Sequence, residues 1–328
     1  MRVSRLHIYI LSMLIFVFCT KDSNSNDEQN IDLVKNEFEE LGNDGPYEFG
    51  QKYNGRNSYI SYYPGNIPVI LSIPHGGDIS PSEISDRTYG VSVTDSNTIE
   101  LGIAISDYLF TQYNVRPYLV INNLKRTKLD ANREKIEAAQ GNIYAERAFD
   151  EFHYYIQNAR AQIIKNFNTG ILFDIHGHGP NPDGFVDLRT WIGYLISGND
   201  LDTSDNYLDQ NIDINQTSIN SLINFSNESL SNIIRGPNSL GSIFEMNGFE
   251  ALPSGNSPGP DGMRYFSGGY NTFFYGTNKS FDFNAIQLEF PYPGLRDNFE
   301  SRNIFSIAFS KIIYEYFLYH YDIDLFSL

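Results

Sequence analysis

Ile171-Leu-Phe-Asp-Ile-His-Gly-His-Gly179 reads as a buried strand that runs out into two histidines and two glycines. Its apolar residues suit a central strand covered on both faces. Far upstream, Val69-Ile-Leu-Ser-Ile-Pro-His-Gly-Gly77 repeats the pattern, placing His75 just before a glycine pair. A third run, Ala285-Ile-Gln-Leu-Glu-Phe290, delivers Glu289 in the same manner. Open α/β sheets bind ligands at the carboxyl edge of their strands, and glycine lets the chain turn there. Two imidazoles plus carboxylates at such an edge are what a catalytic zinc needs: three protein ligands and an open position. The three runs together predict an α/β fold with a metallohydrolase site at the sheet edge.

Around them, short apolar stretches alternate with helical periodicity, the βαβ pattern of a mostly parallel sheet. Strands are expected at 67–74, 117–122, 171–176, 191–197 and 283–290, and helices at 96–112, 142–167, 216–234 and 297–319. Thr94-Asp-Ser-Asn97 offers N-cap chemistry for the first helix. Residues 236–276, rich in Gly, Pro, Ser and Asn and without periodicity, are expected to form a lid or binding loop. Residues 201–213 read as an acidic, solvated excursion. With no repeat and no second boundary visible, 46–328 is expected to be a single α/β hydrolase domain.

The 328 residues hold 23 Lys or Arg against 40 Asp or Glu, a net charge of −17. Such a surface repels nucleic acid and anionic headgroups, so neither is expected as a primary partner. A local arginine cluster can still draw a small anion into a cleft. At the N-terminus, Arg2 and Arg5 precede the charge-free stretch 8–18, too short to span a bilayer and right for a signal peptide. It ends on Cys19, the only cysteine, which excludes an intrachain disulfide. The stretch resembles a bacterial lipoprotein signal. The expected layout is a signal over 1–19, a flexible tether over 20–45, and an exported domain held on a membrane or cell surface only by a lipid on Cys19.

His75 and His176 are the ligand candidates. Asp174, two residues before His176, shares its strand face and can orient its ring; His178 continues that face. Three carboxylates compete as third ligand: Asp78, close after His75, Asp95 at the start of the first helix, and Glu83; spacing alone favours Asp78. Arg126-Thr-Lys-Leu-Asp-Ala-Asn-Arg133 follows a strand. Its arginines can grip a carboxylate or stabilise an oxyanion, unless Asp130 simply pairs with one of them. Glu289, in an apolar run, is costly to bury unless paired or functional. It is either a general base whose pKa is raised by desolvation or an ion-pair partner of Arg296. Tyr265-Phe-Ser-Gly-Gly-Tyr-Asn271 reads as a glycine-hinged segment able to close over a substrate.

In order and spacing, Ser72-Ile-Pro-His-Gly-Gly77, Thr94-Asp95, Arg126-x-x-x-Asp130-x-Asn132-Arg133, Asp174-Ile-His176, Ser267-Gly-Gly-Tyr270 and Gln287-Leu-Glu289 resemble the N-formylglutamate amidohydrolase family. That family is related in fold to the zinc carboxypeptidases. The resemblance runs from about Ile67 to the C-terminus. It implies a three-layer α/β/α sandwich around a mixed, mostly parallel sheet, and one Zn2+ per chain held by His75, Asp95 and His176. This moves the third ligand from Asp78 to Asp95. It further implies Glu289 as general base, Arg126 polarising the scissile carbonyl, and Asn132 with Arg133 holding the substrate carboxylate, with Asp130, Gly269 and Tyr270 also on the substrate side. The implied reaction is zinc-dependent cleavage of an amide next to a carboxylate, in a small anionic N-acyl amino acid such as N-formylglutamate, or at a peptide C-terminus. Two other readings are an extracellular carboxypeptidase-like peptidase, which the leader suits, and a surface lipoprotein that binds an acidic ligand without turnover.

Overall fold

Parallel strands covered on both faces need apolar side chains on both, and the middle of this chain supplies them. The computed structural model describes residues 45–181, 183–276 and 283–328. Its sheet comprises β1 (Tyr53–Asn54), β2 (Ile60–Tyr63), β3 (Val69–Ile73), β4 (Tyr118–Asn122), β5 (Gly170–His178), β6 (Thr190–Gly193), β7 (Ala251–Leu252) and β8 (Phe283–Pro291). Their spatial order is β1-β2-β4-β3-β5-β8-β6-β7. The central β4, β3, β5 and β8 are parallel, and antiparallel β2 and β6 flank them.

Strand alternation sorts the core into two halves. Val69, Leu71, Phe173, Ile286 and Leu288 face α1 (Thr98–Tyr113) and α3 (Phe299–Tyr321). Ile70, Val120, Leu172 and Ala285 face the longest helix, α2 (Ile143–Phe167). Asn142 starts α2 by accepting from the amides of Tyr144 and Ala145. The result is the α/β/α sandwich expected, around a mixed sheet.

Several local expectations change. The outlying strands β1, β2 and β7 are too short or too polar for their alternation to show. The helix expected over 216–234 is broken into Asn220–Phe225 and Leu230–Arg235. Between them, Ser226-Asn-Glu-Ser229 favours caps over helix interior, and Ser229 caps the second piece. The supposed loop at 236–276 contains helices Leu240–Met246 and Tyr270–Gly276 as well as β7. Residues 201–213 are anchored rather than loose: Leu208 is buried, Asp205 pairs with Arg235 at 2.7 Å, and Asp209 accepts from Ser231. The signal, tether and Cys19 expectations lie outside the described residues, Gly45 apart. No described helix is long and apolar enough to cross a membrane.

Candidate active site

His176 and Glu289 are register partners in the parallel β5–β8 pair, so both project from one face at the carboxyl edge. Asp174 and Gln287 are partners one step back on that face. His75 lies just beyond β3, and the backbone N–H of Asp95 donates to its carbonyl (3.1 Å), binding the loop before α1 to it. Three buried ligand atoms then converge. His75 Nδ1 and His176 Nδ1 are 3.1 Å apart, and Asp95 Oδ2 lies 3.2 Å from the second and 3.4 Å from the first.

Each imidazole is held from behind. His75 Nε2 is 2.6 Å from Asp130 Oδ1, and His176 Nε2 is 2.8 Å from Asp174 Oδ2. A carboxylate accepting Nε2–H turns the Nδ1 lone pair forward. Asp130 also accepts from Arg126 Nε (3.0 Å), and Asp174 from Ser72 Oγ and Asn271 Nδ2 (3.1 Å). Three acceptors facing one another repel unless a proton or a metal cation lies between them. Their spacing is close to the edge of about 3.3 Å that tetrahedral zinc with bonds of about 2.0 Å requires. The donor set fits a divalent metal, and His75, Asp95 and His176 form a group able to hold one. Asp78 is exposed, and Glu83 is engaged by Arg56 and Tyr59. Nor is Asp95 a helix cap: α1 is preceded by Asn97 with no side-chain cap bond, while the Asp95 carboxylate also accepts from Gly177 N (3.2 Å).

Burial opposes ionisation of Asp95 and Asp130, yet the neighbouring imidazoles, and Arg126 for Asp130, hold both well below the usual carboxylate range. Burial also disfavours charge on His176, but Asp174, Asp95 and Glu289 outweigh it and push His176 up to about 10. Glu289 behaves oppositely. It is buried with no Lys or Arg in ion-pair reach among the described residues, and burial, reinforced by the Asp95 charge, raises its pKa. Among the described residues, its carboxylate accepts one hydrogen bond, from Gln287 Nε2 (2.9 Å). The alternative pairing with Arg296 does not form, because that guanidinium donates to the carbonyls of Ser96, His178 and Phe290.

A cleft of about 370 Å³ opens over these groups. Arg126 lines it with Nε on Asp130 and Nη1 on Val93 O (3.2 Å), leaving Nη2 without a hydrogen bond among the described residues. The expected substrate-side residues are placed differently from one another. Asp130 is fully buried beneath His75, off the substrate side, because its oxygens serve His75 and Arg126. Asn132 is 2% exposed, with Nδ2 3.1 Å from His176 Nε2 and Oδ1 accepting from Asn271 N (2.8 Å). Arg133 stands at the rim, donating to Asn132 O (2.7 Å) and 3.4 Å from Glu137. Gly269 lines the cleft, where a Cβ would meet Asn132 Nδ2 at 2.5 Å. The Tyr270 ring packs on Phe149, His153 and Phe274 instead of lining the cleft. His178 stacks on Trp191 at 3.9 Å and donates to Arg189 O, burial pushing its pKa down to about 4. Ser72 and Asn271 come from quoted motifs but support Asp174, a role not read from the sequence; Phe266, from the 265–271 segment, lines the cleft, and so does Arg264, which was not foreseen. Arg264 directly precedes the 265–271 stretch, but nothing in its neighbours sets it apart from other loop arginines.

No family model and no curated protein matches the sequence. Solved structures similar to it include N-formylglutamate amidohydrolase from Ralstonia eutropha JMP134, the family its motifs resemble. That match has 11% identity, covers 77% of this chain and 95% of that one, and has a TM-score of 0.47. A gene product of Agrobacterium tumefaciens matches at 12% identity over 78% and 93% of the two chains, TM-score 0.45. Succinylglutamate desuccinylase from Chromobacterium violaceum matches at 12% over 89% and 76%, TM-score 0.36. The chemistry of the site rests on its own geometry.

Proposed function

We propose that this chain is a zinc-dependent hydrolase of amide bonds, acting on a small anionic N-acyl amino acid or on a peptide end. The observation that carries the reading is the triangle of His75, His176 and Asp95 ligand atoms, with the unpaired buried carboxylate of Glu289 opening on the same cleft. A bound zinc supplies an acidified water and a Lewis acid for the carbonyl. Glu289, raised by burial and held by Gln287, takes a proton from the attacking water and returns it to the leaving nitrogen. The open Nη2 of Arg126 donates to the developing oxyanion. Asp130 and Asp174 keep each imidazole in the tautomer that presents Nδ1. An arginine at the cleft meets the substrate carboxylate.

Metal analysis of purified protein should give one zinc per chain. A panel of N-formyl and N-acyl amino acids should include substrates whose hydrolysis stops with a chelator and returns with zinc. Stoichiometric zinc without hydrolysis of any amide would make the protein a binding lipoprotein instead. The leader adds a place of action, an exported domain anchored through Cys19. Cys19→Ala is expected to move the protein from the membrane fraction to the soluble exported fraction, and retention on the membrane would refute the anchor.

A further inference from the structure

Three arginines line the cleft, and they differ in how much of each guanidinium is already engaged. Arg126 is fixed by Asp130 and the Val93 carbonyl. Arg133 is fixed by the Asn132 carbonyl and faces Glu137. Arg264 has neither a hydrogen bond nor a carboxylate in ion-pair reach among the described residues. Its guanidinium lies 4.8 Å from the Phe266 ring centroid and 6.0 Å from that of Trp191. Aromatic faces hold a planar cation without consuming its N–H donors. The support is firm: Trp191 is fully buried, stacks on His178 and donates to Asp187 (3.1 Å). In a chain with 40 acidic residues, an arginine left with all its donors at a cleft mouth is placed for an anion from outside. The same cleft exposes apolar side chains: Val91 and Val93 are 47% and 70% exposed, and Phe266 39%.

We propose that Arg264, rather than Arg133, recognises the substrate carboxylate, and that the cleft takes N-acyl derivatives of apolar amino acids or peptides ending in one. The inference rests on the amide-hydrolase reading. Arg264 supplies a two-pronged grip on the carboxylate from the loop, and the adjoining side chain lies against Val91, Val93 and Phe266 in place of water.

The test uses zinc-loaded full chain with N-acetyl-leucine, N-acetyl-leucinamide and N-formylglutamate. Wild type should prefer the free acid to the carboxamide, and N-acetyl-leucine to N-formylglutamate. Arg264→Ala should raise KM for the acid by about tenfold or more, with kcat changed less than about threefold, and lose the acid-over-amide preference. Arg264→Lys should restore the preference in part, and Arg133→Ala should keep it. Loss of the preference in Arg133→Ala but not in Arg264→Ala would overturn the assignment, and better turnover of N-formylglutamate would overturn the apolar substrate class. If wild type hydrolyses nothing, the catalytic reading fails while calorimetric binding of N-acetyl-leucine still tests Arg264. Binding abolished by Arg264→Ala supports the assignment, and unchanged binding refutes it.

Discussion

Glu289 pays for its position in β8 with a disfavoured charge, and that cost sets the sign of its pH behaviour. A general base acts only when ionised, so kcat/KM falls as pH drops through its pKa. In the metal-free site burial holds that pKa above the ordinary value of 4.5, and a cation on the neighbouring ligands would pull it back down, so the acid limb reports the balance of the two. Glu289→Gln should lower kcat by about 10²–10⁴-fold and abolish that limb. Activity within a few-fold of wild type would rule Glu289 out as the base. His176 predicts a second titration effect. Without metal its pKa is pushed up to about 10, so it is protonated at neutral pH, and ligation requires it neutral. Zinc binding near pH 7, measured in buffers of differing ionisation enthalpy, should release about one proton from this site, fewer at more alkaline pH. A binding heat independent of buffer would contradict it.

At the level of elements, β5 does several jobs by alternation alone: Asp174, His176 and His178 project from one face, while Ile171, Phe173 and Ile175 fill the opposite core. The glycines beside the histidines have a different purpose from the one their sequence suggests. A turn was the expectation, yet Gly177 lies inside the strand, and a Cβ there would meet the Arg296 guanidinium carbon at 2.4 Å. A Cβ on Gly77 would meet the Asn123 backbone at 2.2 Å. They permit close approach rather than reversal. Gly177→Ala should therefore displace Arg296 from the carbonyls of Ser96, His178 and Phe290, costing about 1–3 kcal/mol by overpacking. A melting temperature and zinc affinity equal to wild type would show that the space exists.

Across the whole molecule, the metal group joins segments far apart in the chain: the end of β3, the loop before α1, and β5. Binding that occurs only when these are assembled stabilises the fold by linkage, about 4 kcal/mol at a free ligand concentration a thousand times Kd. Chelation should consequently lower the melting temperature reversibly, with readdition of zinc restoring it, as read by calorimetry. An unchanged transition would mean that no tightly bound ion is part of the native state.

The central strands, the three long helices, the two histidines and Glu289 were legible from residue order, because burial on both sheet faces and helical periodicity are local patterns. Choosing Asp95 over Asp78 was not legible from spacing and rested on resemblance. The choice depends on a loop tied to distant segments, by the Asp95 N–H on the His75 carbonyl and by the Gly177 N–H on the Asp95 carboxylate. The same holds for Asp130 and Arg264. Whether a charged side chain lies under an imidazole or stands free at a cleft mouth depends on which neighbours folding brings to it, and those neighbours lie far along the chain.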